Sequence, residues 1–188
     1  NYIRLLMDDS LFPIALKNTL FISLLTGPIS FFLSLLLAWL LNELGNKMRS
    51  FMTLLFYAPA ISGGAYMIWQ IIYSGDSYGF LNGILMSMGL IYEPKQWLTD
   101  SSVMMISAVF VILWMSFGAG FLSFIAGFKN IDQRLYEAGA IDGIKNRYQE
   151  MWFITLPSMR PQLMFSAVMS ITTSFGMGDV ISAVYGFP

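Results

Sequence analysis

Leu135-Tyr136-Glu137-Ala138-Gly139-Ala140-Ile141-Asp142-Gly143, followed by Ile154-Thr155-Leu156-Pro157, is a short, charged, Gly-broken segment between two long apolar runs. Its charges would be unpaired in lipid, so it must lie in water and have surface free to touch something. The apolar runs on either side are the stretches that lipid would accept.

Composition agrees with that division. Hydrophobic residues are 56% of the chain and charged residues 11%, against roughly a quarter charged in a soluble domain. A soluble protein of this length could not hide so much apolar surface. The formal net charge is −1, so there is no electrostatic footprint for nucleic acid. With no Cys and no His, the chain lacks a disulfide framework, thiolate chemistry, the commonest general base and the commonest metal ligand. No cofactor, metal site or catalytic residue is expected.

Four stretches read as membrane-spanning helices, giving an all-α polytopic fold. The first covers about 19–41, which at about 1.5 Å per residue reaches about 35 Å, enough for a hydrocarbon core of about 30 Å. Lys17 at its outer edge can snorkel. The second covers 51–73 and holds Pro59 and Gly63-Gly64, so a kink or local unwinding is expected there. The third, 103–128, reads as uninterrupted. The fourth runs over about 162–182, with Thr172, Thr173, Ser174 and Asp179 as its polar content. Residues 42–50 carry Lys47 and Arg49, and residues 129–161 carry Lys129, Arg134, Lys145, Arg147 and Arg160. The positive-inside rule puts both loops in the cytoplasm and both chain ends outside. There is no initiator Met or signal peptide, and the chain reads as a fragment with a further helix expected on each side. Outside the spans, a short interfacial helix is expected over 1–13 and a surface-lying helix over 78–92. Asp100 or Ser101 is the expected N-cap of the third span.

The cytoplasmic loop 129–161 reads as a helix–turn–helix. Asp132 is an N-cap for a helix over 133–142, which Gly143 ends in a left-handed conformation. Asn146, with Gln149 three residues on, caps a second helix running to about Leu156, where Pro157 disfavours continuation. Leu135, Ala138, Tyr148, Met151 and Trp152 are available for apolar contacts. Two readings stand for this loop: a solvated connector, or a docking element for a partner.

The loop resembles the "EAA" loop of ABC-importer permeases, which docks onto a cytoplasmic ATPase. Glu137-Ala138-Gly139, Gly143 and Ile154-Thr155-Leu156-Pro157 carry the likeness, with two departures. Gly139 stands where the family has a second Ala, and the spacing from Gly143 to Ile154 is one residue longer. The polar run Lys145-Asn146-Arg147 suggests that the turn absorbs the extra residue. Further likeness is to the carbohydrate-importing branch, similar to maltose and glycerol-phosphate permeases. It lies in Ala58-Pro59, Ile68-Trp69-Gln70, Gly79, Leu81-Asn82, Trp97-Leu98, Asp100, Trp114 and Ala126-Gly127-Phe128.

The resemblance implies one permease domain over 1–188, a transmembrane helical bundle of the MetI-like type. It implies a transport subunit rather than an enzyme, carrying a sugar or oligosaccharide. The implied partners are a cytoplasmic ABC ATPase, a second homologous permease, an extracellular solute-binding protein and membrane lipid. The chain has no GxxxxGK[ST] loop, so ATP would be bound by the separate subunit. Glu137, Ala138, Gly139, Asp142, Gly143, Ile154, Leu156 and Pro157 are the expected coupling residues. Glu137 by itself reads equally as a solvated helix carboxylate.

Trp114, Ser116, Phe117, Thr172, Thr173 and Ser174 offer rings and hydroxyls suited to lining a polyol path. Hydroxyls within spans also bond their own backbone. Ala119, Ser123 and Gly127, with Ser116 and Gly120 beside them, form an expected helix-packing face. Three other functions stay open: import of a peptide or other non-sugar solute by the same architecture, a secondary transporter or channel, and a membrane anchor. A secondary transporter normally needs an ionisable residue at mid-membrane, and none of the four spans has one at its centre.

Overall fold

A computed structural model of the protein describes residues 11–186, among which every regular element is helical. The interfacial helix expected over 1–13 lies outside the described residues as far as residue 10.

Helix α1, Leu11–Asn42, is 32 residues long, longer than the expected 19–41. At about 1.5 Å per residue it reaches about 48 Å, so its ends extend past a bilayer core. It carries Pro28 within its length, and Thr26 Oγ1 donates to the Ile22 carbonyl at 2.8 Å one turn earlier. Ser23, Thr26, Ser30, Ser34 and Ala38 recur every three or four residues and are all buried. This small-residue face admits close helix packing. Helix α2, Asn46–Ile61, holds Pro59 near its end. The chain then turns at 62–66 before α3, Met67–Ile72. The break expected around Pro59 and Gly63-Gly64 is therefore a full interruption.

Helix α4, Phe80–Ser87, is shorter than the expected surface helix over 78–92. Helix α5, Ser101–Met115, starts at Asp100, whose carboxylate accepts from the Ser102 amide at 2.9 Å. The third expected span is not continuous. It stops at Met115 and resumes as α6, Ala119–Asn130, with Gly118 in a non-helical conformation between them. Helices α9, Arg160–Gly176, and α10, Gly178–Tyr185, follow one another with only Met177 between. By length and hydropathy, Leu11–Asn42 and Arg160–Tyr185 can each cross a membrane alone.

The chain forms two compact units. In the unit of residues 11–27, 62–116 and 171–186, Tyr73, Val111 and Val184 are buried together, with Trp69, Trp97 and Tyr185 packed on them. Asn82 is fully buried there. Its Nδ2 donates to the carbonyls of Ser74, Asp76 and Lys95, and its Oδ1 accepts from Lys95 N and Trp97 Nε1.

In the unit of residues 28–61 and 117–170, the core is Ala38, Leu41, Phe117, Phe121, Phe124, Phe128 and Met159. Phe121, Phe124 and Phe128 follow a 3-4 spacing, so one face of α6 is aromatic, and Phe117 joins them from just before the Gly118 break. Phe31 meets Phe124 edge-on at 5.5 Å and Phe56 meets Phe117 at 5.8 Å. The close-packing positions on α6 are Gly120 and Gly127, while Ala119 is exposed. A Cβ on Gly120 would lie 3.5 Å from Ser166, whose Oγ donates to the Gly120 carbonyl at 2.9 Å.

Candidate functional site

The loop after α6 is built as its capping residues dictate. The Asp132 carboxylate accepts from Arg134 N at 3.0 Å and starts α7, Gln133–Ile141. The helix ends in a Schellman motif. Gly143 has φ +93°, Ile144 N donates to the Gly139 carbonyl at 2.9 Å, and Gly143 N donates to the Ala140 carbonyl at 3.3 Å. Only Gly takes that backbone conformation without strain. Asn146 Oδ1 accepts from Gln149 N, and Gln149 Oε1 accepts from Lys145 N, both at 2.9 Å. This reciprocal cap starts Arg147–Glu150, the first turn of α8.

The rest of α8 departs from expectation. Met151–Thr155 is a π turn, in which Leu156 N donates to the Met151 carbonyl five residues back. A π turn holds one residue more than an α turn. Pro157 contributes a reason, because its ring would crowd the carbonyl four residues earlier in a regular helix. The helix continues through Leu156–Ser158 past the expected stop, and Ser158 Oγ bonds the Ile154 carbonyl at 2.7 Å.

Of the expected coupling residues, Ala138, Gly139, Asp142, Ile154 and Pro157 line one groove of about 660 Å³, with Phe153 at its edge. Glu137 and Gly143 are exposed outside it, and Leu156 is half-buried. The Glu137 carboxylate enters no ion pair or side-chain hydrogen bond among the described residues. Ile141 is 87% exposed, and Trp152 and Phe153 are each 70% exposed. Large apolar side chains in water on an otherwise polar segment mark a contact surface.

A second, polar cavity of about 720 Å³ lies where α1 ends, lined by Asn42, Glu43, Arg49, Lys129, Tyr136 and Arg147 among others. In the sequence these cations set the orientation of the loops, and Arg147 also belongs to the polar run 145–147. The Arg49 guanidinium donates to the carbonyls of Leu41, Asn42 and Leu44 at 3.3, 2.7 and 3.1 Å, closing the C-terminus of α1. Arg147 pairs with Glu43 at 3.0 Å and Glu150 at 3.4 Å. Tyr148 meets Trp39 edge-on at 6.0 Å. Arg147–Glu150 is a local i,i+3 pair, whereas the Arg147–Glu43 and Tyr148–Trp39 contacts join segments far apart in the chain.

The expected path residues are differently placed. Phe117 is buried in the aromatic core of its own unit. Ser116 Oγ donates to the Leu113 carbonyl at 2.7 Å and Ser174 Oγ to the Ile171 carbonyl at 2.8 Å, so both hydroxyls serve their own helices. Trp114 is half-buried with its ring edge-on to Trp69 at 5.6 Å. Thr172 is exposed and Thr173 half-buried.

Residues 19–188 match the family described as binding-protein-dependent transport system inner membrane component. The lactose transport system permease protein LacF of Rhizobium radiobacter is 31% identical over all of this chain and 61% of its own length. The arabinooligosaccharides transport system permease protein AraP of Bacillus subtilis is 31% identical over 91% of this chain and 54% of its own. The sn-glycerol-3-phosphate transport system permease protein UgpA of Agrobacterium fabrum is 30% identical over 99% and 62%. A solved bacterial ABC transporter involved in the import of the acidic polysaccharide alginate contains a chain that superposes with a TM-score of 0.82 at 25% identity. That match covers all of this chain and 65% of the other. The chain therefore spans about 60% of the length of the relatives it resembles. The helical architecture, the charged loop with its Gly143 turn and these likenesses agree: the chain belongs to the family of inner-membrane components of binding-protein-dependent transport systems.

Proposed function

We propose that this chain is part of a membrane-spanning permease subunit of an ATP-driven ABC importer for a sugar or oligosaccharide. It forms one permease domain with crossings near 19–41, 51–73, 103–128 and 162–182, and with 42–50 and 129–161 in the cytoplasm. A separate ATPase subunit hydrolyses ATP and docks on the loop over 132–157. A second permease and a solute-binding protein complete the assembly. The observation that carries the reading is the groove holding Ala138, Gly139, Asp142, Ile154 and Pro157 beside exposed Phe153 and Trp152. It is a structured, partly apolar surface on a loop that cannot enter lipid. Trp114 is the proposed ring for sugar stacking, since aromatic faces suit the apolar side of a pyranose.

Affinity purification of the intact protein from its own membranes tests the docking. An ATPase subunit is expected to co-purify, and Glu137→Ala or Gly143→Val is expected to reduce either its retention or uptake. Assaying lactose, arabinooligosaccharides, sn-glycerol-3-phosphate and alginate oligosaccharide for stimulation of ATP hydrolysis identifies the solute class. If no ATPase is retained by the wild type and neither change alters uptake, the reading fails.

A further inference from the structure

Gly139 is a buried socket. A Cβ there would lie 2.6 Å from Ile154 Cδ1 and 3.1 Å from Ile144 Cδ1. Ile154 is buried and sits within the π turn, and Thr155 beside it bonds Tyr136 through the two hydroxyls at 2.9 Å. In an α-helix neighbouring residues point about 100° apart. The surplus residue of the π turn sets the register that brings both Ile154 and Thr155 onto α7. Four residues on from Thr155, Met159 is fully buried, and its Cε would lie 2.7 Å from a Cβ on Gly127 of α6. Along the chain, α7 joins α6 through Ile131–Asp132 and reaches α9 through the turn 142–146 and α8. That turn is mostly exposed, and no atom lies within 4 Å of where a Gly143 Cβ would be.

We propose that Gly139, Ile154 in the π turn and the Tyr136–Thr155 hydrogen bond form one interlock that makes α7 and the base of α9 move as a single body. Ile154 seats in Gly139 because the π turn aims it there, and the Tyr136–Thr155 bond prevents rotation about that contact. Displacement of α7 is then delivered to α9 through these side-chain contacts as well as through the Gly143 turn. The inference rests on the docking reading for its function, but the interlock itself is a property of this chain alone.

The chain has no native Cys, so Gly139→Cys with Ile154→Cys can be oxidised without background. In the full protein in its own membranes, without added ATPase, the pair is expected to cross-link under mild oxidation, since the Ile154 side chain already reaches the position of a Gly139 Cβ. In the assembled complex, ATP hydrolysis by the oxidised form is expected to stay within about twofold of the same protein after reduction. Overpacking by Gly139→Val is expected to lower ATP hydrolysis by the complex roughly tenfold. Adding Ile154→Ala, which removes as many carbons as Val adds, is expected to restore most of it. No cross-link, or hydrolysis stopped by oxidation and restored by reductant, overturns the proposal. So does a Gly139→Val protein that hydrolyses ATP like the wild type. Failure of the wild type to retain any ATPase would sink the docking reading while leaving the cross-link result intact.

Discussion

Removing the Asn82 amide should collapse the packing of the segments it ties together. The side chain is fully buried and has two N–H hydrogens and a two-lone-pair oxygen. Four contacts of 3.1 Å or less use that capacity: Nδ2 to the Asp76 and Lys95 carbonyls, and Oδ1 from Lys95 N and Trp97 Nε1. At about 1 kcal/mol net for each bond, Asn82→Ala should destabilise by about 4 kcal/mol. In a protein of this size about 1 kcal/mol corresponds to roughly 2–4 °C, so melting should fall by roughly 8–16 °C. Thermal unfolding in detergent, followed by tryptophan fluorescence, reads the change directly because Trp97 is a partner. Asn82→Asp keeps the shape but replaces the donor with an acceptor facing carbonyls. It should melt at least as early at neutral pH and recover partly in acid, when the carboxyl can donate. An Asn82→Ala protein melting within about 2 °C of the wild type would refute the reasoning, because the partner groups would then be satisfied by water at no cost.

Gly143→Ala should cost about 1–2 kcal/mol from backbone strain alone, because φ is +93° and the space around a Cβ is open. Exchange of the Ile144 amide should accelerate about tenfold, and Gly143→Asn should cost less; equal exchange in all three would contradict the Schellman geometry. Glu43→Gln should change stability by less than about 1 kcal/mol, because the side chains of Arg147 and Glu43 are 66% and 44% exposed. A melting shift that persists in high salt would show a stronger role. The Asp100 carboxyl is held below the usual carboxylate range by the Ser102 amide and then by the Ser102 hydroxyl. Its capping is therefore fully present above the ordinary aspartate pKa and is lost as pH falls through the lowered folded value. Ser102 amide exchange should stay slow through the ordinary aspartate range and rise only at still lower pH, and Asp100→Asn should flatten that profile.

Local signals were legible where one side chain decides the backbone. Asp100, Asp132, Asn146 and Gly143 each do what their residue type and position imply, because a cap or a left-handed turn involves only residues a few positions away. The break near Gly63-Gly64 was equally readable. The break at Gly118 was not, because hydropathy is blind to an interruption that leaves the run apolar. The π turn was also invisible, since an inserted residue has the same composition in a turn or in a helix. Of the packing face expected on Ala119, Ser123 and Gly127 with Ser116 and Gly120 beside them, the structure brings Gly120 and Gly127 against neighbouring side chains. A four-residue repeat alone does not say which side of a helix its neighbours approach.

Composition and the order of apolar and polar runs by themselves determined an all-helical membrane chain with a water-exposed charged loop, because lipid accepts only satisfied backbone and few charges. Tertiary structure alone decided which residues of that loop meet. Ile154 reaches Gly139 across fifteen residues because a π turn rotates it there, and Arg49 reaches back to close α1. Such contacts depend on how two helices lie against each other, and that is settled by the volume and shape of all their side chains together.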